Sequence, residues 1–73
     1  MAFSNSIRYI RKKSLMSQER FAKTLGVSYS TVNRWENGKT KPNYIALQLI
    51  DEFCKKNSIK FDVLENTWGT END

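Results

Sequence analysis

The sequence contains no histidine and a single cysteine, Cys54. Without histidine, the chain lacks the side chain most often used for acid–base catalysis near neutral pH and a principal zinc ligand. One cysteine permits no intramolecular disulfide, which excludes the small secreted domains that depend on several. The longest apolar runs span only a few residues, such as 44–47, whereas a membrane-spanning helix needs about 20. We therefore expect a soluble protein of the cytoplasm, with no metal, no cofactor and no membrane association. We also expect no enzyme activity, because the acidic residues show no paired spacing either.

The chain is also short, with 73 residues, which is enough for one small domain. A chain of this size buries only about 60% of the surface that its unfolded form exposes. Its free energy of unfolding should be roughly 4–11 kcal/mol. Since 38% of the residues are hydrophobic, a small core can form. We predict a single domain over residues 1–68 and a polar tail over 69–73.

Charge is distributed unevenly along the sequence. Residues 1–41 carry nine Lys or Arg and two acids, a net charge of +7, whereas residues 42–73 carry three bases and six acids, a net of −3. A basic half favours a polyanionic partner, most often nucleic acid. The alternative is a solvated surface that only keeps a small protein in solution.

Glycine and proline are scarce, with three and one residues, and they separate segments of helical apolar spacing. This favours several short helices joined by tight turns over a sheet. The predicted helices cover residues 4 or 5 to 14, 17–25, 28–37 and 43–56.

Ser17, Ser28 and Asn43 precede three of these helices and are typical N-caps. In the last segment, 58–68, alternating apolar residues are typical of a strand, although some of the same residues also fit helical spacing. The inward positions of the four helices predict a core of Ile7, Ile10, Phe21, Leu25, Val32, Trp35, Leu47 and Ile50.

Residues 17–37 form a helix-turn-helix pattern, with two short helices separated by a turn that contains Gly26. Ala22 is small at the position where the two helices would cross closely. Val27, Val32 and Trp35 supply apolar side chains that hold the helices at a fixed angle. Because several positions satisfy one template, the pattern is much more specific than a lone glycine.

Short motifs along residues 5–57 extend this pattern. They are Ile7, Arg11, Ser17-Gln18-Glu19, Leu25-Gly26-Val27-Ser28, Ser30-Thr31-Val32, Trp35-Glu36-Asn37-Gly38 and Lys41-Pro42. With these motifs the sequence resembles the phage-repressor-like helix-turn-helix family, of the Cro and lambda-repressor type, also called the XRE family. The resemblance implies an all-α fold, a compact bundle of four or five helices. It also implies binding of double-stranded operator DNA, usually as a dimer, with the third helix in the major groove.

A helical wheel of residues 28–37 separates an inner from an outer face. Val32 and Trp35 mark the inner face, and Arg34 lies opposite them. Arginine can bind guanine with two hydrogen bonds, and asparagine can bind adenine in the same way. The candidate base-reading residues are Arg34, Ser30, Tyr29 and Asn33, and the alternative is a helix face that is merely solvated.

Glu36 lies on the inner side, where an isolated charge would be costly. The family resemblance implies an ion pair between Glu36 and Arg11, with Arg11 also reaching a phosphate; the alternative is an exposed Glu36 without a role. We expect Arg8, Lys12 and Lys13 to add charge without being positioned. The candidate phosphate-binding residues are Arg11, Gln18, Thr31, Asn37, Lys39, Thr40 and Lys41. The resemblance implies the contacts of the loop residues among them, and the Gln18 amide could instead bond a neighbour on the third helix.

More apolar residues remain than a small bundle needs for its core. Large exposed apolar patches usually mark interfaces, so the surplus predicts a two-fold dimer, at least on DNA. The alternative is that these residues fold back over the fourth helix. The candidate dimer residues are Phe53, Ile59, Phe61, Val63, Leu64 and Trp68.

Taken together, the residues favour a sequence-specific DNA-binding transcriptional regulator of the repressor type, acting on a palindromic operator. Two alternatives stay open. The first is a protein-interaction module of the same fold, such as an antitoxin with a protein partner. The second is a DNA-targeting module detached from a larger DNA-modifying enzyme.

Overall fold

The architecture comes from a computed structural model, which describes residues 3–60. This part of the chain forms four α-helices and no strand. The segment after residue 60 lies outside the described residues. The choice between strand and helix for 58–68 and the polar tail over 69–73 therefore stay predictions. The helices are α1 (Phe3–Lys13), α2 (Gln18–Leu25), α3 (Tyr29–Glu36) and α4 (Tyr44–Lys56).

Three helices begin at the predicted N-caps. The Ser17 and Ser28 hydroxyls each accept a hydrogen bond at 3.1 Å from the backbone N–H three residues later, and the Asn43 side chain accepts one from Ala46 at 2.9 Å. Each bond satisfies a backbone donor that the first turn of a helix leaves without a partner. The predicted starts of α2, α3 and α4 are therefore confirmed.

The turn between α2 and α3 depends on Gly26, which has φ of +84°. This left-handed conformation is nearly free of cost only for glycine. The Gly26 N–H donates to the Ala22 carbonyl at 2.9 Å, which closes α2. The N-cap of the next helix, Ser28, can therefore follow only two residues later.

The core contains seven of the eight predicted residues, all buried; the eighth, Leu47, is only partly buried and packs against them. The first helix was predicted to start at residue 4 or 5 and to end at residue 14, and both bounds were wrong, because it covers Phe3–Lys13. The helix begins at Phe3, whose side chain is 5% exposed and belongs to the core. The third helix ends at Glu36, one residue earlier than predicted, with Asn37 as its C-cap.

Two of the candidate dimer residues also belong to the core, so their prediction as surplus surface was wrong. Phe53 is 6% exposed and packs edge-on against the Phe21 ring, with the ring centroids 5.3 Å apart. Ile59 is 9% exposed because the chain turns back after α4, where its N–H donates to the Cys54 carbonyl at 2.8 Å. The other four, Phe61, Val63, Leu64 and Trp68, lie outside the described residues.

Cys54 is fully buried in the core. Burial raises the pKa of its thiol to about 11, and the nearby charge of Asp51 acts in the same direction. The thiol is therefore protonated near neutral pH, and Cys54 is a small core residue. No helix among residues 3–60 is long and apolar enough to cross a membrane.

Candidate nucleic-acid interface

The outer face of α3 is polar and exposed, and its inner face is buried. Val32 and Trp35 are 0% and 3% exposed, whereas Tyr29 is 51% exposed and Ser30 and Arg34 are also exposed. Within the described part of the chain, the Arg34 guanidinium has no hydrogen bond or ion pair. Its five donors are therefore available to a ligand.

Thr31 lies at the first turn of α3 and is partly buried. Its hydroxyl lies 2.8 Å from the Ser28 hydroxyl, and its backbone N–H donates to the same oxygen at 3.1 Å. Ser28 thus organises the start of α3 and orients Thr31 at the edge of the outer face.

The ion pair that the family resemblance implied joins α1 to the last residue of α3. Arg11 donates from Nε to Glu36 Oε2 at 2.6 Å and from Nη2 to Glu36 Oε1 at 2.9 Å. The Arg11 and Glu36 side chains are 13% and 2% exposed. Arg11 Nη1 also donates to the Met16 carbonyl at 2.9 Å, which ties the pair to the turn before α2. The two parallel bonds form a bidentate contact, the strongest arrangement for these groups.

The surroundings of Glu36 determine its charge. Burial on its own raises the pKa of the Glu36 carboxyl, but hydrogen bonds from Arg11 and Gln18 and the charges of Arg11 and Arg8 outweigh it, so the net pKa is lowered. The hydrogen bond to Glu36 in turn raises the pKa of Arg11. Glu36 is therefore an ionised carboxylate near neutral pH, held between two cations.

Arg8 is positioned as well, so our expectation that it only adds charge was wrong. Its Nη2 donates to the Glu36 backbone carbonyl at 2.8 Å, and its Nε lies 3.7 Å from Glu36 Oε1. A cation at the last carbonyls of a helix is favoured by the helix dipole. The sequence did contain an indication, since Arg8 and Arg11 are three residues apart and share one face of α1.

Gln18, Asn33 and Asn37 form a chain of side-chain hydrogen bonds that starts at Glu36, the last residue of α3. Gln18 Nε2 donates to Glu36 Oε1 at 3.0 Å, Asn33 Nδ2 to Gln18 Oε1 at 3.2 Å, and Asn37 Nδ2 to Asn33 Oδ1 at 3.0 Å. We refer to Glu36, Gln18, Asn33 and Asn37 as the amide chain. It links a predicted phosphate-binding residue on α2 to a predicted base-reading residue on α3.

The loop after α3 carries three further predicted phosphate-binding residues. Gly38, with φ of +73°, lets the chain turn away from the helix, and the Lys39 N–H donates to the Arg34 carbonyl at 2.9 Å. Lys39 is exposed, and Thr40 and Lys41 are partly buried. The Lys41 ammonium lies 6.0 Å from the centre of the Phe3 ring, which restrains its stem against α1.

Comparisons with known proteins agree with this geometry. A family model described as helix-turn-helix matches residues 7–61. The HTH-type transcriptional activator BcrR of Enterococcus faecalis is 34% identical over 53 residues, which is 73% of this chain but 26% of that protein, so the chain spans about a quarter of the relative's length. The solution structure of the DNA-binding domain of the P22 c2 repressor, residues 1–76, superposes with a TM-score of 0.72 and 30% identity, covering 88% of this chain and 80% of that domain.

Proposed function

Because this chain belongs to the helix-turn-helix family, we propose that it binds double-stranded DNA in a sequence-specific manner and regulates transcription, with α3 in the major groove. The observation that carries the proposal is the outer face of α3, where Tyr29, Ser30 and Arg34 are exposed opposite a buried inner face. A major groove about 12 Å wide admits such a helix, and these side chains can contact base edges there.

We assign base reading to Tyr29, Ser30, Asn33 and Arg34. Phosphate contacts fall to groups around α3 that fix its position without reading sequence. These are Arg11, Gln18, Thr31, Asn37, Lys39, Thr40 and Lys41. The hydrogen bonds of Glu36 and Gln18 support a fixed placement of α3, because they join α1, α2 and α3.

We infer repression rather than activation. The likeness to the P22 repressor covers most of this chain and of the isolated DNA-binding domain, residues 1–76, and the likeness to the activator BcrR covers a quarter of that whole protein. A bound regulator of this kind represses when its operator overlaps a promoter. We also infer that it acts in the cytoplasm.

Selection of bound sequences from a random duplex pool tests the proposal. We expect a short recurring motif, and binding to that motif should be at least about 10³-fold tighter than to unrelated duplex. Absence of binding to any duplex at low salt would contradict the proposed function.

Phosphate binding by the loop after α3 predicts a change in salt dependence. Lys39→Ala and Lys41→Ala should weaken binding to selected and random duplexes alike, and each should reduce the slope of log affinity against log salt by about 0.9. Titrations between low and moderate salt measure the slope. Lys56→Ala, in the last turn of α4, is the matched control, and a slope that stays at the wild-type value for Lys39→Ala or Lys41→Ala removes that residue from the phosphate set.

A two-fold dimer on a palindromic operator would enlarge a small reading surface. A single module of this size buries only about 600–1,000 Å² of its surface on DNA, and paired half-sites lie about 34 Å apart. With Phe53 and Ile59 in the core, the candidate dimer residues are reduced to Phe61, Val63, Leu64 and Trp68.

We therefore expect Leu64→Glu to abolish dimer formation, since a charge would be placed in an apolar interface. Sedimentation at micromolar concentration, with and without operator duplex, measures the state of association. Leu15→Glu is the control, because Leu15 is 94% exposed. A wild-type chain that stays monomeric on and off DNA would contradict the dimer.

A further inference from the structure

Arg8 has more hydrogen-bonding capacity left than Arg11, although both guanidinium groups lie at Glu36. Arg11 donates from each of its side-chain nitrogens, to the Glu36 carboxylate and to the Met16 carbonyl, and its side chain is 13% exposed. Among the described residues, Arg8 makes one hydrogen bond, from Nη2 to the Glu36 backbone carbonyl at 2.8 Å, and its side chain is 41% exposed. Because a guanidinium has five N–H donors, Arg8 can bind a further acceptor while it stays anchored.

The charges at this end of α3 do not cancel. Arg11 neutralises the Glu36 carboxylate, to which its Nε donates at 2.6 Å, and the last carbonyls of a helix carry roughly half a negative charge. Without Arg8, this end of α3 would therefore repel an anion. With Arg8 Nε 3.7 Å from Glu36 Oε1, the balance becomes roughly half a positive charge. Since the Arg8 side chain is partly exposed, an anion can reach this charge.

The anchor of Arg8 lies beside the loop after α3. Glu36 is the last residue of α3, and the Lys39 N–H donates to the Arg34 carbonyl at 2.9 Å, so the loop begins against the same turn of the helix. Lys12 of α1, by contrast, is exposed, and its ammonium group has no hydrogen bond or ion pair within residues 3–60. Arg8 is thus the positioned cation of α1 that faces the end of α3 with donors to spare.

We propose that Arg8 is a phosphate-binding residue, which stays bound to the Glu36 carbonyl and donates its remaining N–H groups to a phosphate of the DNA backbone near the loop after α3. The proposal rests on the proposed function, because it requires α3 in the major groove. A guanidinium can bind two phosphate oxygens through parallel N–H groups, so an anchored arginine differs from a lysine that only adds charge. A free phosphate ion offers the same oxygens, and the experiments below separate the two sources.

Selected duplexes that each carry one methylphosphonate linkage test the contact, because this linkage removes the charge of a single phosphate. They are compared for the wild type and for Arg8→Met, which keeps the apolar stem and removes the guanidinium. At one linkage we expect the modification to weaken wild-type binding at least about tenfold and to weaken binding of Arg8→Met no further. If Arg8 only supported the fold, each linkage would have the same relative effect on both proteins.

Two further variants and the salt dependence complete the test on DNA. Arg8→Met should reduce the slope of log affinity against log salt by about 0.9, on selected and random duplexes alike. Lys12→Met, which removes an unanchored charge from the same helix, is the matched control and should keep every methylphosphonate effect of the wild type. Arg8→Lys serves if Arg8→Met does not fold; it keeps the charge but not the fork, so the effect at the critical linkage should be smaller than in the wild type.

A measurement without DNA uses inorganic phosphate. In a titration of the nitrogen-15-labelled wild-type chain, the Nε–H resonance of Arg8 should shift until it saturates. That of Arg20, an exposed arginine of α2, is the internal reference and should hardly move. The Arg11 resonance should also move little, because its Nε is held by the Glu36 carboxylate.

The outcomes distinguish failure of this proposal from failure of the proposed function. Identical methylphosphonate profiles for the wild type and Arg8→Met would overturn the DNA contact of Arg8 while leaving sequence-specific binding intact; a shift of Arg8 with inorganic phosphate would then mark a site for a free anion only. If the wild type binds no duplex but inorganic phosphate still shifts Arg8 and not Arg20, the proposed function and the DNA contact are overturned, and anion binding by Arg8 stands. Equal shifts at Arg8 and Arg20 would overturn the anchored site itself.

Discussion

Replacing Glu36 by alanine should lower the free energy of unfolding by about 3–5 kcal/mol, because it leaves the largely buried guanidinium of Arg11 without its partner. The Gln18 amide and the guanidinium of Arg8 lose a partner as well. For a domain of this size the midpoint of thermal unfolding should fall by at least about 12 °C. Urea unfolding followed by circular dichroism measures the loss directly.

A matched control and a compensating variant sharpen this prediction. Glu52→Ala, at an exposed glutamate of α4, should change stability by no more than about 0.5 kcal/mol. Replacing Arg11 and Glu36 together by apolar residues should recover part of the loss. A midpoint shift of only a degree or two for Glu36→Ala would show that the ion pair does not stabilise the fold.

The same residue makes stability depend on pH. Since the pKa of Glu36 is lower in the folded state than in the unfolded chain, its contribution is complete above the unfolded value of about 4.3. It is lost as the pH falls through the lower, folded value. Wild-type stability should therefore fall more steeply than that of Glu36→Ala below about pH 5, and parallel curves would contradict the lowered pKa.

Replacing Arg34 by alanine should weaken binding to the selected duplex by about 1–3 kcal/mol, which is the usual contribution of a bidentate contact to guanine. Binding to random duplex should weaken much less, because the phosphate contacts remain. Arg34→Lys is the matched control: it keeps the charge and loses the two-pronged geometry, so it should lose specificity and keep non-specific affinity. Equal losses on both duplexes for Arg34→Ala would mean that Arg34 contacts only the DNA backbone.

The sequence predicted most of the fold because local chemistry marks its boundaries. Ser17, Ser28 and Asn43 are caps that act within three residues, and Gly26 is suited to a left-handed turn. The start of α1 was missed, because no capping residue precedes Phe3. Apolar content alone could not show whether Phe53 and Ile59 lie in the core or on the surface. For Phe53 that depends on how α4 packs against Phe21 of α2, and for Ile59 on how the chain turns back after α4.

The site could be predicted only in part, for a similar reason. Helical spacing was enough to place Arg34 and Ser30 on the outer face of α3. The contact between Gln18 and Asn33 joins residues 15 positions apart, and an amide pair has no sequence pattern that separates it from two solvated side chains. Such a contact depends on the angle between α2 and α3, which only the packed structure determines.

In the proposed complex, the outer face of α3 and the loop after it contact DNA. Titration of the nitrogen-15-labelled protein with its selected duplex, following every backbone and side-chain amide, locates the contact surface. We expect the largest shift changes over residues 29–41 and at Gln18, and small ones on the outer face of α4 around the exposed Ile45 and Gln48. Changes concentrated on α4, with residues 29–41 unperturbed, would contradict it.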